Sequence, residues 1–143
     1  MKIYSKQELN NHHLSLTYDD ISLIPNHISQ VRSRSEVNTK FSFLGYDLSV
    51  PVIASPMDSV TGIEMATELT NLGCIGIVNR FDSSLTELFK NGNPVEGIRA
   101  VSVSLTVEEK LIERIAEHKM LVCIDTANAN NAFVLKKCEE IKK

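Results

Sequence analysis

Val50-Pro51-Val52-Ile53-Ala54-Ser55-Pro56-Met57-Asp58-Ser59-Val60-Thr61 breaks from an apolar run into a polar loop that leads towards a helix. The unbroken Val/Pro/Val/Ile run suits a strand covered on both faces, as in a parallel sheet. Residues 55 to 59 then leave its C-terminal end, where βα loops assemble sites in parallel α/β enzymes. Periodicity alone equally allows a buried strand followed by an ordinary loop.

The order becomes regular from this stretch onward. A strand at 51–55 precedes a helix at about 61–72, where Ile63, Ala66, Leu69 and Leu72 recur at helical spacing and Gly73 stops it. Residues 74–78 repeat the plan as a strand, and Ser83 or Ser84 caps a helix whose apolar face is Leu85, Leu88 and Phe89. Asn91-Gly92-Asn93-Pro94 ends that helix. A third strand at 99–103 leads to Thr106 as a cap, Glu109 as its capping-box carboxylate, and a helix to about His118. A fourth strand, 121–125, leads to a last helix from about Asn130 to Lys142. Upstream, residues 1–13 read as an arm or short helix and Thr17 to Pro25 as an extended segment. Lys40 to Ser49 alternates around Leu44-Gly45, a hairpin signal.

Four βα units with right-handed crossovers make half of an eight-stranded barrel. A complete barrel needs roughly 200 residues or more, typically about 250, and this chain has 143. The fold class expected is therefore α/β, an incomplete TIM (β/α)8 barrel. Residues 1–50 form the arm and hairpin and 51–143 the first half of the barrel, as a single truncated domain. Such a sheet exposes two edges and one uncovered face, which invite association. The expectation is a second chain supplying the complementary C-terminal half, self-association of two half-barrels, or a fragment of a longer gene product.

Composition excludes several classes. With 43% hydrophobic residues, 23% charged and a net charge of −3, the chain reads as a globular domain rather than a disordered or strongly basic one. Arg32-Ser33-Arg34 with Lys40 is the densest basic group, and it reads as a solvated loop rather than a stripe tracking phosphates, so no nucleic acid is expected. No apolar run approaches the ~20 residues of a membrane span, and residues 1–6 lack the apolar core of a signal peptide. A cytoplasmic setting follows by default. Cys74, Cys123 and Cys138 form no Cys-x-x-Cys pair and leave an odd count, so neither disulfides nor a metal site is expected. Cys74 and Cys123 read as small core hydrophobes, Cys138 as structural, and His12 and His13 as tail residues.

Three segments occurring in order carry a resemblance: residues 16–25 (Leu-Thr-Tyr-Asp-Asp-Ile-Ser-Leu-Ile-Pro), 55–60 (Ser-Pro-Met-Asp-Ser-Val) and 73–78 (Gly-Cys-Ile-Gly-Ile-Val). The series resembles the IMP dehydrogenase/GMP reductase family, purine-nucleotide oxidoreductases on a (β/α)8 barrel, from about Leu14 to the end of the chain. The resemblance implies that Ser55 and Met57 contact the nucleotide, a hydroxyl bonding a ribose or phosphate oxygen and a thioether packing on the base, with Asp58 orienting the loop. Read from spacing alone, Ser-Pro is a common turn and Met57 a core residue. Asp125-Thr126-Ala127-Asn128 resembles the segment that approaches the nicotinamide riboside: Asp125 accepts from ribose hydroxyls, and Thr126 and Asn128 bond the carboxamide or neighbouring sugar. The alternative for these three is a helix N-cap.

Departures from the family pattern matter equally. After the second strand the family commonly has a His followed by a basic residue or a second His, and this chain has Asn79-Arg80. Both are placed on the cofactor side. Arg80 supplies positive charge there but no proton transfer, since Arg does not deprotonate in proteins. Ala129 stands where a glycine often follows. None of the three cysteines lies in a Gly-x-Gly-Ser-x-Cys type loop, the family's site for its catalytic thiolate, so no catalytic residue is assigned within this chain and it is expected to be silent alone.

The implied cofactor is NADP or NAD and the implied ligand a purine nucleotide, GMP or IMP. Residues 79–99 pass directly between units, with no room for the regulatory domain pair of most IMP dehydrogenases. Residues 33–37 and 123–128 look closer to GMP reductase, and 55–58 closer to some IMP dehydrogenases. The leaning is reductive deamination of GMP to IMP with NADPH. The alternatives are NAD-dependent oxidation of IMP to XMP through the same covalent thioimidate logic, and a non-catalytic half-barrel module that binds or regulates a host enzyme.

Overall fold

The computed structural model describes residues 5, 7–8, 17–81, 84–89 and 92–142 and divides into two compact units, 1–37 and 38–143. The arm or helix expected over 1–13, with His12 and His13, lies outside the described residues apart from Ser5, Gln7 and Glu8, as does Ser83.

In the first unit, Tyr18–Asp20 is a 3-10 turn rather than the extended chain expected from Thr17. Asp20 Oδ2 accepts from the Thr17 amide and from its hydroxyl, both at 2.8 Å. Those bonds, the backbone one foremost, hold the Asp20 carboxyl below its ordinary value of 3.8. A second 3-10 turn, Arg34–Glu36, is capped by the Ser33 hydroxyl accepting from the Ser35 amide.

The second unit opens with an antiparallel hairpin, β1 (Phe41–Phe43) and β2 (Tyr46–Leu48). Leu44 and Gly45 both adopt positive φ, 47° and 88°, as a two-residue turn matched to strand twist requires. Four parallel strands follow: β3 (Ile53–Ala54), β4 (Ile75–Val78), β5 (Ala100–Val103) and β6 (Leu121–Ile124). Helices α1 (Ile63–Asn71), α2 (Ser84–Leu88), α3 (Glu109–Glu117) and α4 (Ala132–Ile141) alternate with them. Each strand pairs with the next in sequence, β3-β4-β5-β6. A doubly wound sheet would reverse its order at a switch point, and consecutive barrel units do not.

Side chains alternate across this sheet. Val78, Val101 and Val103 point to one face and form a core with Ala66 of α1, Leu88 of α2 and Ile115 of α3. Gly76 shares that face, and a Cβ there would lie 2.5 Å from Ala66 Cα, so the missing side chain lets α1 approach β4 closely. Ile75 and Ala100 point the other way, against Leu48, Phe41, Phe43 and Tyr46 of the hairpin. The second face is therefore not uncovered, as expected, but is packed by the hairpin near the strands' N-terminal ends. Tyr46 Oη donates to the Lys119 carbonyl at 2.9 Å just before β6, and the Ser49 amide donates to the Gly73 carbonyl at 2.9 Å just before β4. Together these fasten the hairpin there.

Several boundaries differ from the sequence reading. The first strand keeps two residues rather than 51–55: Pro51 has no amide, the Val52 amide turns back to Val50 O at 2.8 Å, and the Met57 amide turns back to Ser55 O at 2.9 Å. Thr106 does not cap α3. Its hydroxyl pairs with Ser104 Oγ at 3.1 Å inside a turn closed by Val107 N to Ser104 O, and the helix starts past Glu108, which makes no side-chain cap bond. The last helix begins at Ala132, because Asn131 Oδ1 accepts from Phe133 N at 2.9 Å and caps it. Among the described residues no helix is long and apolar enough to cross a membrane, and no three His, Cys, Asp or Glu cluster to hold a metal.

Candidate nucleotide and cofactor rim

Because all four strands run parallel, Ser55 after β3, Asn79-Arg80 after β4 and Asp125 after β6 stand at the same C-terminal edge. Alternation along the ladder puts Ser55, Asn79, Ser102, Cys123 and Asp125 on the face opposite the helices, in line with Ile53, Ile77, Ala100 and Leu121.

The loop after β3 is a folded turn. Val60 and Thr61 amides both donate to the Met57 carbonyl, at 3.0 and 2.9 Å, and the Ser59 amide donates to Asp58 Oδ1 at 2.7 Å. Ser55 and Asp58 are exposed, and Met57 is 56% exposed, so it is no core residue. Thr61 is fully buried beneath the loop, its hydroxyl donating to the Ser55 carbonyl at 2.7 Å.

Asn79 is 3% exposed and every side-chain bond it makes stays within the protein. Its Nδ2 donates to Thr61 O at 3.1 Å, its own backbone amide donates to the same carbonyl at 3.1 Å, and its Oδ1 accepts from the Phe81 amide at 3.0 Å. Arg80 turns the other way: Nε donates to Asp125 Oδ2 at 2.9 Å, with both side chains 30% exposed, while the guanidinium lies 4.2 Å from the centre of the Phe81 ring. Asp125 Oδ1 and the terminal Arg80 nitrogens keep no protein partner among the described residues. An acceptor oxygen and donor nitrogens side by side suit a sugar diol next to a phosphate or carboxamide.

Thr126 is half-buried and Asn128 exposed, with Asn128 Oδ1 accepting from the Asn130 amide at 3.1 Å. Capping falls to Asn131, so none of Asp125, Thr126 and Asn128 serves as the N-cap. Cys123 is half-buried, and burial first, then the negative charge of Asp125, pushes its thiol above the ordinary value of 9.0. Cys74 is buried and Cys138 half-buried. A shallow cavity of about 460 Å³, lined by Lys40, Phe41, Asp47 and Ser49 among others, lies on the hairpin and includes none of these rim residues.

Two residues here escape a reading by sequence. Thr61 looks like an ordinary helix start, and its role as the buried floor of the β3 loop depends on a fold-back no local pattern announces. Ser102 is a fully buried hydroxyl without a partner among the described residues. Its signal is a lone polar residue inside Ala100-Val101-Ser102-Val103, facing the same side as Asn79 and Cys123.

A family model described as IMP dehydrogenase / GMP reductase domain matches residues 15–143. The chain belongs to that family. It is 29% identical over 130 residues to the GMP reductase of Ligilactobacillus salivarius (strain UCC118), covering 87% of this chain and 40% of that protein. It is 31% identical over 130 residues to the GMP reductase of Streptococcus suis (strain 05ZYH33), covering 88% and 39%. Over 69 residues, 48% of this chain and 14% of the relative, it is 45% identical to the GMP reductase of Leishmania donovani. Among solved structures it is similar to the inosine 5′ monophosphate dehydrogenase of Legionella pneumophila, with a TM-score of 0.72 and 27% identity over 90% of this chain and 41% of that one. The chain thus spans about two fifths of the length of the GMP reductases of the first two species. The family match agrees with the resemblance carried by residues 16–25, 55–60 and 73–78, and the structural likeness agrees with an α/β fold built on a parallel sheet.

Proposed function

We propose that this chain forms the opening βα units of a purine-nucleotide oxidoreductase barrel that moves a hydride between a nicotinamide and purine C2, in the direction GMP to IMP. The observation that carries the reading is one parallel-sheet rim bearing Ser55 and Met57 after β3 and an Arg80–Asp125 pair, with a free carboxylate oxygen, that joins the ends of β4 and β6. Ser55 binds a ribose or phosphate oxygen, Met57 lies against the base, and Asp58 stabilises the loop through the Ser59 amide. Asp125 accepts from the nicotinamide ribose, with Thr126 and Asn128 on neighbouring polar atoms, and Asn79 and Arg80 support that side from the β4 loop. The cofactor, NADPH by preference, supplies the hydride when bound.

The attacking thiolate comes from sequence beyond these 143 residues, on the same polypeptide or on a partner. Cys74 is buried and Cys123 is held protonated, and neither has the nucleophile's loop around it. A barrel closes when the remaining strands pair with β3 and β6.

A second reading, oxidation of IMP with NAD, draws support from the structural likeness to the Legionella pneumophila IMP dehydrogenase. A third, a non-catalytic module that docks on a family enzyme, keeps the same rim without turnover. The test combines the chain with the polypeptide carrying the cysteine loop and follows nicotinamide absorbance. Loss of NADPH with GMP supports the first reading, and gain of NADH with IMP the second. Folded, associated chains inactive with both nucleotides overturn both enzyme readings.

A further inference from the structure

We propose that Asn79 and Arg80 are positioning residues that together bracket the two halves of the rim, Asn79 holding the nucleotide loop after β3 and Arg80 holding the carboxylate after β6. The idea rests on the functional reading above for what the two loops bind, and on geometry alone for the bracket.

Asn79 is suited to the first task by its two-sided amide. One buried side chain must donate towards β3 and accept from its own loop, and only a carboxamide offers an NH₂ and a C=O in one plane without charge. Nδ2 and the backbone N both end on Thr61 O, while Thr61 Oγ1 reaches Ser55 O and Thr61 N reaches Met57 O. Every link from Asn79 to the backbone of Ser55 and Met57 is therefore a hydrogen bond buried under the loop or formed within it. A broken link there leaves a desolvated donor or acceptor, so the loop has one favoured geometry rather than several.

Arg80 serves the other direction because of its reach. From β4 to β6 is two strand spacings, about 9 to 10 Å, and Arg80 crosses that gap to bond Asp125 Oδ2 at 2.9 Å. An imidazole is too short for this. The guanidinium is braced by the Phe81 ring, and the Phe81 amide is bonded to Asn79 Oδ1. The two arms of the bracket thus share an anchor, which couples the setting of one loop to that of the other. The carboxylate oxygen that Arg80 leaves free is then turned to a fixed direction instead of rotating.

The experiment has one arm that needs no turnover. Backbone amide exchange in the full chain is compared for wild type, Asn79→Asp and Thr61→Val, the last removing only the hydroxyl link to Ser55 while conserving shape. Exchange at the backbone amides of positions 60 and 61, each taken relative to its intrinsic rate, is expected to quicken about tenfold in both. Unchanged exchange in both overturns the bracket. The second arm measures kcat and both KM values in the assembled oxidoreductase. Asn79→Asp is expected to raise the KM for purine nucleotide about tenfold, Arg80→Gln the KM for the cofactor by a similar factor, with Arg80→Lys restoring little because its ammonium cannot lay a planar group against the Phe81 ring while bonding Asp125. A uniform fall in kcat with both KM values unmoved would mean a merely structural role. If exchange quickens while the wild-type assembly shows no turnover, the bracket stands and the enzyme reading falls.

Discussion

Gly76 is the position where the smallest addition does the most damage. Its φ is ordinary, so the constraint is space alone: a methyl group would meet Ala66 Cα at 2.5 Å and Ala66 Cβ at 2.9 Å, backbone and short side chain that cannot swing away. Gly76→Ala is expected to destabilise the fold by about 1–3 kcal/mol, the usual cost of overpacking, read as a lower urea midpoint at unchanged slope. Cys123 makes a prediction of the other kind. Its thiol is raised by burial and by Asp125, so the folded chain keeps its proton at pH values where the unfolded chain has begun to lose it. The stability this contributes is whole below about pH 9 and is lost as pH climbs through the folded value. Alkylation of Cys123 should accordingly lag behind a free cysteine at pH 8, and Asp125→Asn should narrow the gap. Equal rates in wild type and a free thiol would contradict the charge assignment.

The β1–β2 hairpin shows how an element can be right in pattern and costly in detail. Leu44 and Gly45 fill a turn in which both residues take positive φ, and Leu44 is 70% exposed, so its side chain gains little from burial while its backbone sits in a region L-residues avoid. Leu44→Asn gives the favoured Asn-Gly pair and is expected to stabilise the chain by roughly 0.5–1 kcal/mol, measured as a rise in thermal midpoint with the Tyr46–Lys119 fastening intact. The same contrast runs through the other elements. The strands from Ile75, Ala100 and Leu121 and the helix from Ile63 were legible because their apolar spacing is local and Gly73 stops the helix. Thr106 misled because Ser104, two residues upstream, competes for its hydroxyl. In the rim, strand-end position made Ser55 and Asp125 legible, but no spacing within one segment shows that Arg80 meets Asp125, 45 positions away, or that Asn79 turns its amide to Thr61.

Taken as one body, the unit from 38 to 143 has helices α1 to α3 packed on one face, a hairpin fastened at the N-terminal end of the other, and a ladder with a free edge at β3 and another at β6 among the described residues. At β3 and just before it, Ile53 and Val52 are 38% and 44% exposed, with Val50 and Val60 nearby in sequence and also exposed. An edge with exposed apolar residues and no charge is what natural sheets cover or pair, and β3 is blunted only by its two-residue length and the flanking Pro51 and Pro56. Relatives more than twice as long as this chain have the length to supply that cover. A polypeptide of these 143 residues, 15.9 kDa, is therefore expected to sediment above its monomer mass or to bind the remaining strands of a family barrel. Ile53→Lys places a charge on the edge, and it should shift the species towards monomer without altering the far-ultraviolet circular dichroism. If the wild-type chain stays monomeric across its soluble range and does not bind the complementary strands, the edges are not docking surfaces, and the rim at their C-terminal ends would have to bind its ligands without further strands around it.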